Sequence, residues 1–292
     1  MRSSNPARAH RRPTVMPEPD GRAGEKGWDM RIWLVTGASR GLGAALVAAV
    51  LARGDAVVAT ARVPERIAGV GPEHEERLLR YRLDVTDPDT VRRAVAAAVE
   101  RFGRIDVLVN NAASGLLGAV EETSVDEART LFDTNVFGVL SVTNEVLPVM
   151  RAQRSGHVLM MSSMGGFASG AGFGVYAASK FAVEGLAEAL REELAPFGIA
   201  VTIAEPGVFQ TDFASVGSAQ AGRSIDDYRQ VEETLAEYDD GEPGGDPAWA
   251  ATRLVAVVDR TNPPLRLPLG ADAVARISGK LTAVAAELAD LT

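Results

Sequence analysis

Between residues 30 and 292, short unbroken apolar runs alternate with longer stretches whose apolar positions recur every three or four residues. The runs at 31–36, 56–60, 79–84, 105–110, 156–162, 199–204 and 265–269 predict strands. Segments such as Ile105-Asp106-Val107-Leu108-Val109 lack strict alternation, which suits parallel strands covered on both faces. Helical periodicity falls at 41–53, 87–102, 124–151, 174–196, 246–259 and 271–289. This repetition predicts an α/β fold in one domain over 30–292, a doubly wound, mostly parallel seven-stranded sheet with right-handed crossovers.

Two stretches stand outside that rhythm. Residues 1–29 carry Arg2, Arg8, Arg11 and Arg12, then Pro17 and Pro19, and predict a disordered tail. The alternatives are a start at Met16 or Met30, or an Arg-rich, acid-free transit peptide. Residues 207–245 show no strand pattern and predict a lid. Within it, Ser224-Ile225-Asp226-Asp227 is close to a capping box, and Ile225, Tyr228, Val231, Leu235 and Tyr238 form a helical apolar stripe. That stripe either packs on the domain or covers a substrate.

In such sheets ligands bind beyond the carboxyl ends of the strands, and the polar motifs gather there. Thr36-Gly37-Ala38-Ser39-Arg40-Gly41-Leu42-Gly43 lies between a strand and a helix, where glycines let the backbone approach a pyrophosphate at the helix N-terminus. Its spacing is G-x-x-x-G-x-G, not the standard G-x-G-x-x-G. Tyr176 and Lys180 are four residues apart and meet on one helix face, where the ammonium can stabilise a phenolate. Ser163, thirteen residues before Tyr176, adds a hydroxyl, and the three can move a proton to or from a carbonyl oxygen.

Composition sets limits. The 292 residues are 46% hydrophobic, enough for a large core, and hold no apolar run of 18, so no membrane span is expected. A net charge of −9 argues against general nucleic-acid binding. There is no Cys, which excludes disulfides and thiolate chemistry. His10, His74 and His157 lack ligand spacing, so no metal is expected. No secretory signal is visible, and a cytoplasmic location is expected.

Taken together, TGASRGLG at 36–43, Asp84-Val85, Asn110-Asn111-Ala112-Ala113, Asn135, Ser163, the Tyr176-Ala177-Ala178-Ser179-Lys180 run and Pro206-Gly207 with Thr211 resemble the classical short-chain dehydrogenase/reductase family. The agreement runs over about 30 to 212, in order and spacing; Ala113 departs from the family's usual Gly. The resemblance implies a Rossmann-type fold and an oxidoreductase interconverting a carbonyl and a secondary alcohol by hydride transfer. It makes Tyr176 the general acid/base, Lys180 its cation and a ribose ligand, Ser163 the holder of the substrate oxygen, and Asn135 the anchor of a proton-relaying water. A phenol titrates near pH 10, so neutral-pH work needs a downward shift of roughly 2–3 units. Gly37, Ser39, Arg40, Gly41, Leu42, Gly43, Asn111 and Ala112 are expected to line the cofactor. Asp84 and Val85 are expected at the adenine, Asn110 beside its ribose, and Pro206, Gly207 and Thr211 at the nicotinamide. Helix capping is the structural alternative for Asp84.

Arg62 follows the second strand where an acid would favour NAD, no carboxylate appears before Glu65, and Arg40 lies in the loop; together they predict NADP(H). Leu116, Met164, Phe173, Val208, Phe209 and Phe213 flank the motifs and suggest an apolar pocket for a lipophilic ketone or alcohol. Local phrases resemble hydroxysteroid and retinol-type members. The helices at 124–151 and 174–196 suggest a homodimer or homotetramer, the second through Ala182, Gly185, Leu186, Ala189 and Leu190. The competing classes are a non-catalytic NADP(H) sensor or scaffold and an extended-type epimerase or dehydratase.

Overall fold

The first strand is pinned at its start by two carboxylates: Asp55 accepts from the backbone N–H of Arg31 at 3.0 Å and Asp106 from that of Ile32 at 2.9 Å. This strand, β1 (Ile32–Val35), is buried at every position. The computed structural model describes residues 30–68, 70–213, 217–239 and 244–291; the expected 1–29 tail lies outside the described residues, as does the Tyr238 side chain.

β1 is an inner strand of a sheet with β2 (Ala56–Ala61), β3 (Leu78–Arg82), β4 (Val107–Asn110), β6 (Gly156–Met161), β7 (Ile199–Pro206) and β9 (Arg266–Leu269). The order is β3-β2-β1-β4-β6-β7-β9 and every pairing is parallel. All seven predicted strands are present.

Because side chains alternate across a strand, each inner strand feeds two cores. Trp33, Val35, Val57 and Val109 pack with α1 (Gly41–Arg53) and α7 (Pro247–Val257). Leu34, Val58, Leu108 and Val158 pack with α2 (Pro88–Phe102), α4 (Val139–Gln153) and α5 (Gly174–Leu194) on the other face. Burying each such Leu or Val stabilises by roughly 1.5–3 kcal/mol. α1 ends where Gly54 turns left-handed at φ 99°, and α2 starts where the Asp87 carboxylate accepts from the N–H groups of Asp89 and Thr90.

Three expectations need correction. The single helix over 124–151 is instead α3 (Val125–Phe132), a π-helical turn over Asp133–Gly138, and α4. The turn falls where Asn135 reaches sideways to other elements, and π turns favour such places. The stretch 207–245 does contain a strand: β8 (Ser218–Gln220) pairs in parallel with β5 (Gly115–Leu117), outside the main sheet. The capping box near Ser224 is not formed, because the Ser224 hydroxyl donates to Glu232 Oε1 at 2.9 Å, and a 3₁₀ turn, Asp226–Tyr228, leads into α6 (Arg229–Asp239).

Val231 is buried on α6, and Ile225, Tyr228 and Leu235 are half-buried, so the apolar stripe faces the domain. Buried Glu122 secures the approach to α6, its Oε1 accepting from the Ile225 N–H at 2.9 Å and its Oε2 from that of Ala119. A last helix, α8 (Ala271–Ala289), grips both walls of the strand-end cleft. Arg276 donates to the carbonyls of Ala168 and Ser169, Lys280 donates to that of Phe167, and Asp272 accepts from the Val208 N–H at 2.7 Å.

Candidate active site

At the carboxyl end of β1, Thr36 organises two loops at once. Its hydroxyl donates to the Val109 carbonyl and accepts from the N–H groups of Asn111 and Ala112, each at 3.0 Å. Asn111 answers with its amide, donating to the carbonyls of Thr36 at 2.9 Å and Gly37 at 3.0 Å. Asn111 therefore lines the cleft while its amide nitrogen holds the Gly-rich loop in place.

The approach is too close for side chains. Gly37 has φ +66° and a Cβ there would stand 2.9 Å from the Ala112 Cα; a Cβ on Gly43 would collide with the Gly37 carbonyl oxygen. Ala113 fits because, among the described residues, Arg154 alone of the non-glycines has positive φ. Its methyl needs no glycine.

α1 begins without a side-chain cap, since its N-cap residue is Arg40, whose guanidinium has no acceptor to offer, and its first turn holds no acid. Uncapped N–H groups at a positive helix end suit a pyrophosphate. Gly37, Ser39, Arg40, Gly41, Leu42 and Gly43 line the cleft, as do Ala61, Arg62, Asp84, Val85, Asn111 and Ala112. Exposed Arg66, in the 3₁₀ turn Pro64–Arg66, adds a third arginine there that the sequence reading passed over. Asp84 does not cap α2, whose N-cap is Asp87; its Oδ1 accepts from the N–H and hydroxyl of Thr86. Asn110 is corrected: it is 3% exposed below the rim, donates to the Thr143 hydroxyl at 2.9 Å and does not line the cleft. Pro206, Gly207 and Thr211 line the far wall, where the Thr211 side chain stands 3.4 Å from where a Gly41 Cβ would be.

Ser163, Tyr176 and Lys180 come together at the end of β6 and the start of α5. Ser163 is extended, and its hydroxyl accepts from the Gly165 N–H at 3.0 Å. A Cβ on Gly165 would lie 3.4 Å from Ser163 Oγ and 3.9 Å from Tyr176 Cε1, so hydroxyl and phenol flank a bare backbone. The Tyr176 ring leans on Phe213 with centroids 5.7 Å apart. Lys180 Nζ lies 5.9 Å from the Tyr176 ring centroid and donates to the Met161 carbonyl at 2.8 Å. Lys180 is 3% exposed. Its burial pushes the ammonium down to about 8, partly opposed by Glu184, which brings its titration near working pH while leaving it charged below.

Asn135 is fully buried. Its Oδ1 accepts from the Ser114 N–H, and its Nδ2 donates to the Ser114 carbonyl and to Ser179 Oγ at 3.0 Å. With both N–H bonds engaged, Asn135 would hold the expected relay water as an acceptor, through Oδ1 or its backbone carbonyl. It also reaches Tyr176 through Ser179, whose hydroxyl donates to the Tyr176 carbonyl at 2.7 Å. Ser179 was missed by sequence reasoning; its place within the Tyr-to-Lys run was the available signal.

The cleft holds about 1860 Å³, more than the 300–1,000 Å³ of an ordinary ligand pocket and room for a dinucleotide with a substrate. All six expected apolar residues line it: Leu116, Met164, Phe173, Val208, Phe209 and Phe213. The glycine cradle, the uncapped helix end and the carboxyl-end position fit a nicotinamide dinucleotide.

The chain belongs to the short chain dehydrogenase family, which it matches over residues 31–221. It is 40% identical over 248 residues to an oxidoreductase of Botryotinia fuckeliana, covering 84% of this chain and 90% of that one. It is 37% identical to a 3-ketodihydrosphingosine reductase of Bacteroides thetaiotaomicron, covering 82% and 88%. Among solved structures, a short-chain dehydrogenase from Streptomyces avermitilis shares 42% identity with a TM-score of 0.83, covering 89% of this chain and 96% of that one. A short chain dehydrogenase from Burkholderia cenocepacia in complex with NADP shares 25% identity with a TM-score of 0.71, covering 90% and 97%. The protein is an oxidoreductase of the short-chain type, and no helix among its described residues is long and apolar enough to cross a membrane.

Proposed function

We propose that the protein interconverts a carbonyl and a secondary alcohol on a lipophilic substrate, using NADP(H). The observation that carries this reading is that Ser163 Oγ and the edge of the Tyr176 ring converge on the bare backbone of Gly165, with the Lys180 ammonium 5.9 Å from the centroid of that ring. The bound nicotinamide supplies or accepts the hydride. Tyr176 gives its phenolic proton to the carbonyl oxygen in reduction and takes it back in oxidation. Lys180 stabilises the phenolate left behind, and its lowered affinity for protons lets it exchange with the medium near neutrality. Ser163 donates to the substrate oxygen as charge develops there. Asn135 and Ser179 keep the Tyr176 turn in register.

Arg40, Arg62 and Arg66 at one end of the cleft support NADP(H) over NAD(H), since a guanidinium suits the 2′-phosphate and no acid stands between β2 and Glu65. The NADP complex of the Burkholderia cenocepacia relative agrees. Leu116, Met164, Phe173 and Phe213 support an apolar substrate, as does the likeness to the 3-ketodihydrosphingosine reductase of Bacteroides thetaiotaomicron.

NADPH oxidation followed across a panel of aliphatic, aromatic and long-chain ketones tests the reading. Turnover with apolar ketones, reduced about 10²- to 10⁴-fold or more in Tyr176→Phe while NADPH still binds, is expected. No turnover with any ketone or alcohol, or full activity in Tyr176→Phe, overturns it.

A further inference from the structure

Behind the Tyr176–Lys180 face of α5 lies a second group of ionisable side chains, which the reaction above does not use. Glu184, one turn after Lys180, is 5% exposed, and Glu205 at the end of β7 is fully buried. The β6–β7 register sets Met161 opposite Ala204, so Ser162 comes beside Glu205. The Ser162 hydroxyl points at Glu184 without closing a well-aligned bond.

The cation available to both carboxylates is Arg266 of β9, and its alignment favours neither. Its Nη2 lies 2.5 Å from Oε1 of half-exposed Glu188, but 3.2 Å from Glu184 Oε2, and its Nε is 3.5 Å from Glu205 Oε1. All four carboxylate oxygens of Glu184 and Glu205 are buried without a hydrogen-bond donor. Two buried anions sharing part of one guanidinium are costly, because each loses its hydration and each repels the other. A proton on either carboxyl removes one charge and supplies the missing donor.

We propose that Glu184 and Glu205 share one proton at neutral pH, with Ser162 beside them, and that the negative charge left on the pair supports the ammonium form of Lys180. The charged groups facing the pair are Lys180 and Glu188 from α5 and Arg266 from β9; β6 contributes the neutral Ser162. Arg276 and Lys280 of α8 are directed to the carbonyls of residues 167–169 instead. Burial pushes the Glu205 carboxyl up to about 7, Glu184 adding to the rise, and burial likewise raises Glu184. When Glu205 holds the proton, anionic Glu184 favours the ammonium form of Lys180; when Glu184 holds it, that support is withdrawn. Glu184 and Glu205 are thus positioning residues acting through Lys180. The link to Lys180 chemistry rests on the function proposed above; the shared proton does not.

Infrared titration of the full chain, together with NMR titration of ¹³C-labelled lysine, tests the proposal in wild type, Glu205→Gln and Glu184→Gln. The wild type is expected to show a buried carboxylic-acid C=O band at pH 6 that disappears as pH rises past about 7. In each Gln variant the band is expected to disappear at lower pH than in wild type, because the remaining carboxyl no longer faces a second anion. The Lys180 midpoint is expected to fall in both variants, since each removes an anion, and by more, about one pH unit, in Glu184→Gln, which lies one turn from Lys180. No carboxylic-acid band in wild type at pH 6 overturns the proposal, even if neither variant folds; so does a Lys180 midpoint that is unmoved or raised in Glu184→Gln. Persistence of the band and the Lys180 shifts in a protein that turns over no ketone would sink the reaction and leave the proton pair standing. Turnover without the band would do the reverse.

Discussion

Asn135 Nδ2 donates to Ser179 Oγ at 3.0 Å, and Ser179 passes the contact to the Tyr176 carbonyl at 2.7 Å. Three residues from two segments more than 40 positions apart thereby fix where the Tyr176 side chain starts. The π-helical turn sets Asn135 within reach, and the same amide ties in Ser114 from the loop after β4. The Tyr176 backbone is held by a buried strut.

Ser179→Ala removes that strut without touching phenol or ammonium. A misplacement of about 1 Å can cost about 100-fold in rate, so kcat is expected to fall about 10- to 100-fold with NADPH Kd unchanged. Steady-state kinetics and fluorescence titration check this; an unchanged kcat would mean the helix holds Tyr176 without help.

Arg62→Ala is expected to weaken NADPH binding by roughly 10- to 150-fold, the loss of one charge-assisted bond of about 1.5–3 kcal/mol. NADH, without the 2′-phosphate, should be little affected. Adding Ala61→Asp should widen the change by repelling the phosphate and accepting from the ribose. Equal weakening of both cofactors, measured as Kd or kcat/KM, would dismiss Arg62 as the phosphate ligand.

Much of this was legible in the sequence because the deciding signals are local. α1 runs over 41–53 as expected, since the glycines before it and Gly54 after it mark its ends within a few residues. The seven strands are continuous apolar runs that only a covered parallel sheet accommodates. What was not legible depends on partners distant in the chain. A π turn in 124–151 leaves no mark in periodicity, and Ser179 reads as a small helix residue until Asn135 arrives beside it. Asn110 and Asn111 are adjacent and identical, yet strand alternation buries one and turns the other toward the Gly-rich loop. Three-residue β5 and β8 are too short to alternate and exist through each other.

Two buried groups make stability depend on pH in opposite senses. Glu205 holds its proton to about 7 when folded, against 4.5 ordinarily. The unfolded chain therefore releases that proton first, and stability falls as pH rises from about 4.5 to about 7. His157, 4% exposed and donating to or accepting from Thr202 Oγ1, is pushed down to about 4 by burial, with Arg31 adding to it. The unfolded chain then takes a proton first, and stability falls as pH drops from 6.5 to about 4. The slopes offset in wild type. Glu205→Gln is expected to expose the histidine's acid-side loss, with Tm rising as pH increases from 4 to 6.5. Scanning calorimetry at pH 4.5, 5.5 and 6.5 checks it; a Tm profile parallel to wild type would show that Glu205 titrates normally.

Arg276→Ala breaks two bonds to the loop that carries Ala168 and Ser169. KM for the ketone is expected to rise about tenfold, the effect of one lost charge-assisted bond, with kcat within a few-fold of wild type. A kcat loss without a KM change would mean α8 orders the reacting groups and not the mouth.

On α5, Gly185 and Ala189 are exposed, and nothing stands within 4 Å of where a Gly185 Cβ would be, so a second helix can approach closely there. A homodimer or homotetramer is expected by light scattering at micromolar concentration, and Gly185→Glu should shift it toward monomer. A monomer mass for the wild type would end the idea.

α8 follows every strand of the sheet in chain order, yet it supplies the Arg276, Lys280 and Asp272 contacts on both walls of the cleft. On a ribosome, therefore, the glycine loop, Ser163, Tyr176 and Lys180 emerge before the helix that ties the two walls of the cleft. A chain halted near Gly270 carries those residues but lacks the Asp272, Arg276 and Lys280 contacts. A frameshift late in the reading frame strikes the tie across the mouth and leaves the sequence of the glycine loop untouched.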